Sequence, residues 1–416
     1  MIFTSLMQVW LTRSLKPFIF ENNSEPLDFQ SVENLGLYVH IPFCRTLCGF
    51  CPYCKVVYQS EAAKQYKSAL LKEITLTASS LSEKKEVTSL YFGGGTPALM
   101  IDDIKDMIDH IKKYFIVRDG IGVELHPNDV GEETLLKLKD AGVTMISIGM
   151  QSFDSHCLRA LGRSMPDYSQ IFEAINKVKF DVVDMDLIFG IPGQNIEILK
   201  NDIKTAFENG ATQISTYPFI DFTYANNRNK PQTQKEKKKM LEEITHLAER
   251  CGYVRTSVWT FAKPQTGKYS SVTRDNFLGF GISATTLLKE QFKINTFSLD
   301  GYSQRIDQDE LPTSLTLKFS ERQRMVYYLF WNAYSMQIDL QMFEEFFNKP
   351  LTGIFGFELW ICTLLGFIKK DSHKYHLTAR GAYYYHRIEQ IYTTAYIDKM
   401  WNVSGKIAFP DEIILR

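Results

Sequence analysis

Residues 36–54 read Gly-Leu-Tyr-Val-His-Ile-Pro-Phe-Cys-Arg-Thr-Leu-Cys-Gly-Phe-Cys-Pro-Tyr-Cys. The first part has the pattern of a β-strand, with Leu37, Val39 and Ile41 on one face and Tyr38 and His40 on the other. The second part packs four of the chain's seven cysteines, Cys44, Cys48, Cys51 and Cys54, into a short loop. Cys157, Cys251 and Cys362 are scattered in apolar surroundings and read as small buried hydrophobes. An odd count with one tight cluster is not a disulfide framework; it points to metal ligation in a reducing compartment. Cys44, Cys48 and Cys51, spaced C-x3-C-x2-C, can wrap one cuboidal iron–sulfur cluster. The fourth iron then has no protein ligand, and an open coordination position is what lets a metal bind a reactant. The rival is zinc, which usually asks for two paired knuckles or cysteines joined by distant histidines, in closed tetrahedral ligation.

Outward from this stretch, a strand–loop–helix rhythm continues to about residue 220, with candidate strands at 36–41, 87–93, 121–126, 144–149, 182–189 and 212–218. Ile101, Ile104, Ile108, Ile111 and Phe115 recur at helical spacing, as do Ile196, Leu199, Ile203 and Phe207 behind a candidate cap at Asn195. A helix from Glu132 has acids in its first turn and Gly142 past its end, and Gly210 suits the end of the helix from 196. Alternating strands and helices predict an α/β fold with a parallel sheet, and about six units fit an open, partial (β/α)6 TIM-like barrel. Alternation puts Tyr38 and His40 on one face, together with Glu124 and His126, Ser147, Gly149 and Gln151, and Asp184 and Asp186. The other faces are Val, Ile, Leu and Met. Helices should cover the apolar side, leaving carboxylates, an amide and glycines to line a ligand site at the carboxyl ends of the strands.

The 416 residues suffice for two or three domains, and 44% are hydrophobic. The reading is an N-terminal extension (1–34), a core barrel (35–220), a connecting region (221–312) in which Gly279 and Gly281 mark a tight turn, and a C-terminal domain (313–416). The last should be small, mainly helical and of winged-helix type, with helices near 320–336, 340–347, 356–366 and 378–400. A net charge of −1 without a basic stripe argues against nucleic acid as a partner. The run Lys235–Lys239 reads as the solvated first turns of a helix. No apolar run reaches membrane-spanning length, and the N-terminus lacks signal-peptide order, so a cytoplasmic protein is expected.

Six motifs in order resemble one branch of the radical S-adenosylmethionine (SAM) superfamily, the oxygen-independent coproporphyrinogen III oxidase-like proteins. They are Tyr38-Val-His-Ile-Pro-Phe-Cys44 with its C-x3-C-x-Phe-C loop, Phe92-Gly-Gly-Gly-Thr-Pro97, Glu124-x-His-Pro127, Ile146-Ser-Ile-Gly-Met-Gln-Ser-Phe153, Leu161-Gly-Arg163 and Asp186-Leu-Ile-Phe-Gly-Ile-Pro-Gly193. Leu377-Thr-Ala-Arg-Gly381 resembles the end domain of that branch. The resemblance implies a [4Fe–4S] cluster on Cys44, Cys48 and Cys51 whose open iron chelates SAM, with Gly93, Gly94, Gly95 and Thr96 against the methionine end. It implies SAM contacts from Glu124, Gln151, Arg163 and Asp186, with Tyr38 near the cluster. It further implies an electron donor such as flavodoxin or ferredoxin, cleavage of SAM to a 5′-deoxyadenosyl radical, and a small-molecule substrate, a tetrapyrrole.

Two departures matter. Relatives that decarboxylate the porphyrinogen carry a fourth cysteine two residues after the third; here that place is Tyr53, and Cys54, one later, reads as a non-ligand. Heme-chaperone members carry His-Asn-x-x-Tyr-Trp, where this chain has only Tyr269–Gly279 without it. Besides the tetrapyrrole oxidoreductase, two functions therefore stay open: a radical SAM C-methyltransferase on another aromatic substrate, and a heme-binding or heme-delivery protein.

Overall fold

A computed structural model describes residues 2–23, 25–223, 229–267 and 275–415, with side chains from residue 7. Residues 269–274, part of the Tyr269–Gly279 stretch singled out above, lie outside the described residues. The core is a run of parallel strands: β1 (Leu35–Ile41), β2 (Leu90–Gly94), β3 (Ile121–Leu125), β4 (Met145–Gln151), β5 (Val182–Phe189), β6 (Gln213–Pro218) and β7 (Asn276–Phe280). Their order across the sheet is β6-β5-β4-β3-β2-β1-β7, every neighbouring pair parallel. The sheet is open. Short antiparallel strands flank β6 at Thr260–Ala262 and Val254–Arg255. Beyond β7 follow Thr285–Leu287, Gln291–Asn295, Thr313–Lys318, Phe18–Glu21 and Glu412–Leu415.

The alternation read from sequence is the one that folds. Leu37, Val39, Ile41, Val123, Ile146, Ile148, Val183, Met185 and Leu187 join the main hydrophobic core. Helices Ser60–Ala78, Ile101–Ile111, Glu132–Asp140, Tyr168–Lys177 and Ile196–Glu208 contribute their buried residues to the same core. The Asn195 side chain accepts from the Ile198 amide at 2.9 Å, capping its helix as expected. Gly142 and Gly210 have φ of +87° and +98°, the left-handed turn that ends these helices. After β7 the chain forms helices Glu321–Tyr334, Leu340–Phe347 and Leu351–Leu364, a small antiparallel sheet of Gln337–Asp339, Ile368–Asp371 and Lys374–Leu377, and the long helix Ala379–Ser404. That is the winged-helix-like arrangement the sequence suggested. Among the described residues no helix is long and apolar enough to cross a membrane.

Four expectations need correction. Gly279 is no turn residue: it lies within β7, where a side chain would strike the backbone of Thr285, and only Gly281, at φ +95°, turns the chain. The helix that carries the Lys235–Lys239 run starts at Gln234, where Thr233 and Glu236 close a reciprocal capping box. Within it Lys237 is not solvated; it is 3% exposed and donates to the Phe219 carbonyl at 2.5 Å. Cys251 is exposed, since it falls where that helix ends, and Cys362 is half-buried; only Cys157 of the scattered three is fully buried.

Candidate functional site

The carboxyl ends of β2 to β6, the cysteine loop and the C-terminal helices enclose one cavity of about 980 Å³. Cys44, Cys48 and Cys51 line it, none of them in a disulfide. Lys55 holds this loop by donating to the Cys51 carbonyl at 2.7 Å, and the Thr96 hydroxyl lies 3.8 Å from the Cys44 sulfur. Cys54 does not line the cavity; its thiol turns away toward the Phe297 carbonyl at 3.7 Å, while Tyr53 faces the cavity. Among the described residues no group of three His, Cys, Asp or Glu side chains is gathered as a single-ion site. A cuboidal cluster asks for something else, one thiolate per iron corner, and three thiols on one loop facing one chamber suit that donor set.

The glycine segment is the wall beside this loop. The Gly95 amide donates to the Ile41 carbonyl at 2.7 Å, and a Cβ there would sit 2.6 Å from the Phe43 carbonyl oxygen. Gly94, at φ +110°, leaves no room for a side chain because the His40 imidazole fills the space. His40 is a core histidine, hydrogen-bonded to Tyr38 at 3.0 Å and to the Cys54 carbonyl at 2.9 Å. Tyr38 stacks on Tyr91 and is not among the residues that line the cavity. Gly94, Gly95 and Thr96 do line it.

Glu124 comes from β3 and is held at both oxygens, by the Tyr91 hydroxyl at 2.8 Å and the Gly94 amide at 3.0 Å. Gly93 permits this approach, since a Cβ there would lie 2.9 Å from the Glu124 carboxyl. At the end of β4 the register slips: Ile148 pairs with Met185 but Gln151 with Leu187, so Gly149 and Met150 stand against Asp186 alone. This bulge, with Gln151 at φ +68°, re-aims the Gln151 side chain at the strand end. Arg163 donates to the Gly149 carbonyl at 2.5 Å and lies over the Phe50 ring; its Nε is buried without a partner. Asp186 accepts from Ser147 at 2.9 Å. Two residues away on β5, Asp184 accepts from Ser215 at 2.7 Å and Gln213 at 2.9 Å.

The electrostatics are lopsided. Burial raises the Glu124 carboxyl, and burial followed by repulsion from Asp184 and Glu124 raises Asp186 well above the usual range. Burial pushes Asp184 up to about 6. A cationic ligand among these groups would restore their ionisation, and the orphaned Nε of Arg163 suits an anionic group. The structure thus brings Cys44, Cys48, Cys51, Gly94, Gly95, Thr96, Glu124, Gln151, Arg163 and Asp186 to one chamber. Sequence reasoning missed Tyr91 as the partner of Glu124. It placed Asp184 on the lumen face without giving it a role. The far wall, with Trp259, Trp331, Tyr334, His376 and Glu389, left no sequence signal because its residues are remote along the chain.

Comparison with known proteins gives a consistent result. Residues 38–206 match the model of the radical SAM superfamily. The chain is 28% identical to the oxygen-independent coproporphyrinogen III oxidase of a Synechocystis strain over 333 residues, 71% of each protein. It is 30% identical to the heme chaperone HemW of Buchnera aphidicola subsp. Schizaphis graminum over 264 residues, 60% of this chain and 69% of that one. Its fold matches the solved coproporphyrinogen III oxidase (HemN) from Escherichia coli with a TM-score of 0.76 at 23% identity, over 91% of this chain and 94% of that one.

Proposed function

Because this chain belongs to the radical SAM superfamily, in the branch of oxygen-independent coproporphyrinogen III oxidases and HemW-type proteins, we propose that it is an enzyme that abstracts hydrogen from a tetrapyrrole. The cofactors of the superfamily are a [4Fe–4S] cluster and SAM. When bound, they supply a one-electron cleavage that yields a hydrogen-abstracting radical. The residues fit them. Cys44, Cys48 and Cys51 would hold the cluster, and the backbone of Gly94 and Gly95, which lines the chamber, would lie against the methionine end of SAM. Arg163, with its free Nε, would take the SAM carboxylate. Glu124 and Asp186 are raised carboxyls that a sulfonium or ammonium charge would ionise, and one of them would bond the ribose hydroxyls. Gln151 would bond polar edges of the same ligand, aimed there by its strand bulge. Tyr38 acts through His40, which packs behind Gly94.

The observation that carries this reading is that the cysteine loop, the glycine wall and the far C-terminal wall open on one chamber of about 980 Å³. That volume is at the upper end of ordinary ligand pockets, about 300–1,000 Å³, enough for a cofactor with a large substrate beside it. The test is anaerobic reconstitution with iron and sulfide, then dithionite plus SAM, with products resolved by mass spectrometry. Methionine and 5′-deoxyadenosine are expected, with turnover stimulated by coproporphyrinogen III and a change in the mass of the porphyrinogen. A full cluster that cleaves no SAM with any tetrapyrrole would overturn the enzymatic reading.

One observation favours a second reading: the 30%-identical relative is named a heme chaperone. On that reading the chamber holds heme for transfer, and His376 on its wall is a candidate contact. Stoichiometric heme uptake without SAM turnover would support it. S-adenosylhomocysteine with a methylated product would instead indicate a C-methyltransferase.

A further inference from the structure

Glu389 lies on the long C-terminal helix, remote from the cysteine loop in sequence, yet on the wall of the same chamber. It is 4% exposed. Its Oε1 accepts from the Thr393 hydroxyl one turn on, at 2.5 Å, while its Oε2 is buried with no hydrogen-bond partner. None of the ion pairs among the described residues includes it. Tyr334 and Tyr385 are its charge-sensitive neighbours. An unpartnered buried carboxyl oxygen costs roughly 1–3 kcal/mol, and packing alone does not need one. A second oxygen shares this state. Asp184, 1% exposed on β5, uses Oδ2 for Ser215 and Gln213 and leaves Oδ1 unpartnered on the chamber wall. Tyr334 lines the same chamber as both carboxyls.

Two of the chamber's cations are engaged away from this wall: Arg255 donates Nε and Nη2 to the Val258 carbonyl, and Arg45 pairs with Asp129. A wall with two acidic oxygens repels carboxylates and attracts N–H donors. We propose that Glu389 and Asp184 form a substrate-recognition pair that accepts hydrogen bonds from ring N–H groups of the substrate. The proposal rests on the tetrapyrrole reading. A reduced, puckered tetrapyrrole turns its pyrrole N–H groups outward, whereas the oxidised planar ring keeps them in its centre. The two forms carry the same side-chain carboxylates, so the pair should distinguish them by their N–H groups.

Isosteric amides test this sharply. In Glu389→Gln the carbonyl oxygen stays with Thr393 and the NH2 group takes the place of the unpartnered Oε2; in Asp184→Asn the oxygen stays with Ser215 and Gln213 and the NH2 group takes the place of Oδ1. Each change replaces an acceptor by a donor without a change of shape. Binding of coproporphyrinogen III and of coproporphyrin III would be measured on the reconstituted protein, anaerobically and above neutral pH. The wild type should favour the reduced ring by about tenfold or more, the value of one charge-assisted hydrogen bond. Each variant should lose most of that preference while keeping its iron content, and Glu389→Gln should also keep its affinity for SAM. Wild-type preference retained in both variants would overturn the assignment of the pair and leave the tetrapyrrole reading standing. A wild type that binds neither ring but still cleaves SAM would overturn both.

Discussion

Cys54 lies three residues beyond Cys51, yet the two thiols face different surroundings. Cys51 lines the chamber, whereas Cys54 packs among core residues with its thiol toward Phe297. Cys44→Ala, Cys48→Ala and Cys51→Ala should each abolish the cluster, and Cys54→Ala should keep it, as read by iron and acid-labile sulfide after reconstitution. Loss of iron in Cys54→Ala would sink the three-ligand assignment. Gly94 gives a second prediction. An alanine there meets both an unfavourable φ of +110° and the His40 ring. Gly94→Ala should destabilise the protein by roughly 1–3 kcal/mol in urea unfolding and weaken SAM binding, because the Gly94 amide holds Glu124. The cysteine spacing and the glycine run were legible in sequence because both are local. Why Gly94 must be glycine was not, since the obstructing imidazole comes from another strand.

At the scale of elements, the core strands were legible because a parallel sheet covered by helices enforces strict alternation, and one slip would turn Glu124 or Asp186 into the apolar core. The Lys235–Lys239 run misled for the opposite reason. A lysine stem can be buried when its amine finds a carbonyl, and Phe219, which supplies it, is far off in sequence. β7 was hidden because Gly279 reads as a turn residue, whereas its missing side chain serves to let the backbone of Thr285 approach. The long C-terminal helix was legible in extent, with Thr378 capping it by accepting from the Gly381 amide at 3.0 Å. What the sequence did not show is how this helix is fixed. At Gly381 a Cβ would overlap the Phe367 carbonyl, so the first turn is pressed against the preceding sheet. Gly381→Ala should push that turn away and cost about 1–3 kcal/mol as overpacking does. The helix also carries Glu389 and Thr393. The same variant should therefore weaken coproporphyrinogen III binding more than SAM binding, measured side by side on reconstituted protein. Equal losses for both ligands would mean that the helix does not shape the substrate end alone.

Over the whole molecule, distant segments are tied by buried polar groups, and these set how stability responds to pH. Glu73, on the Ser60–Ala78 helix, accepts from the Gly281 amide at 2.7 Å, Asn295 at 2.8 Å and Tyr302 at 2.6 Å, joining segments more than 200 residues away. No sequence pattern marks such a residue, because its partners are defined only once the sheet is complete. Burial raises Glu73 to about 7 and Glu389 to about 7, from an ordinary 4.5. Between those values the folded protein holds protons that the unfolded chain has released, so these carboxyls make stability fall as pH rises. Two buried histidines and the half-buried His126 act the other way: burial lowers His40 and His126 to about 4 and His386 to about 3, from 6.5, so stability is lost as pH falls below 6.5. The two trends oppose each other in the acid range, and a raw pH profile would mix them. The difference between wild type and Glu389→Gln separates one group from the rest, since the histidines and Glu73 are common to both. Relative to wild type, the variant should gain stability steadily from about pH 4.5 to 7, by up to about 3 kcal/mol, and stay level above that. Urea midpoints at matched pH, without ligand, measure it. A difference that does not change with pH would mean that Glu389 ionises as an ordinary carboxyl, and so is not sealed into the chamber wall.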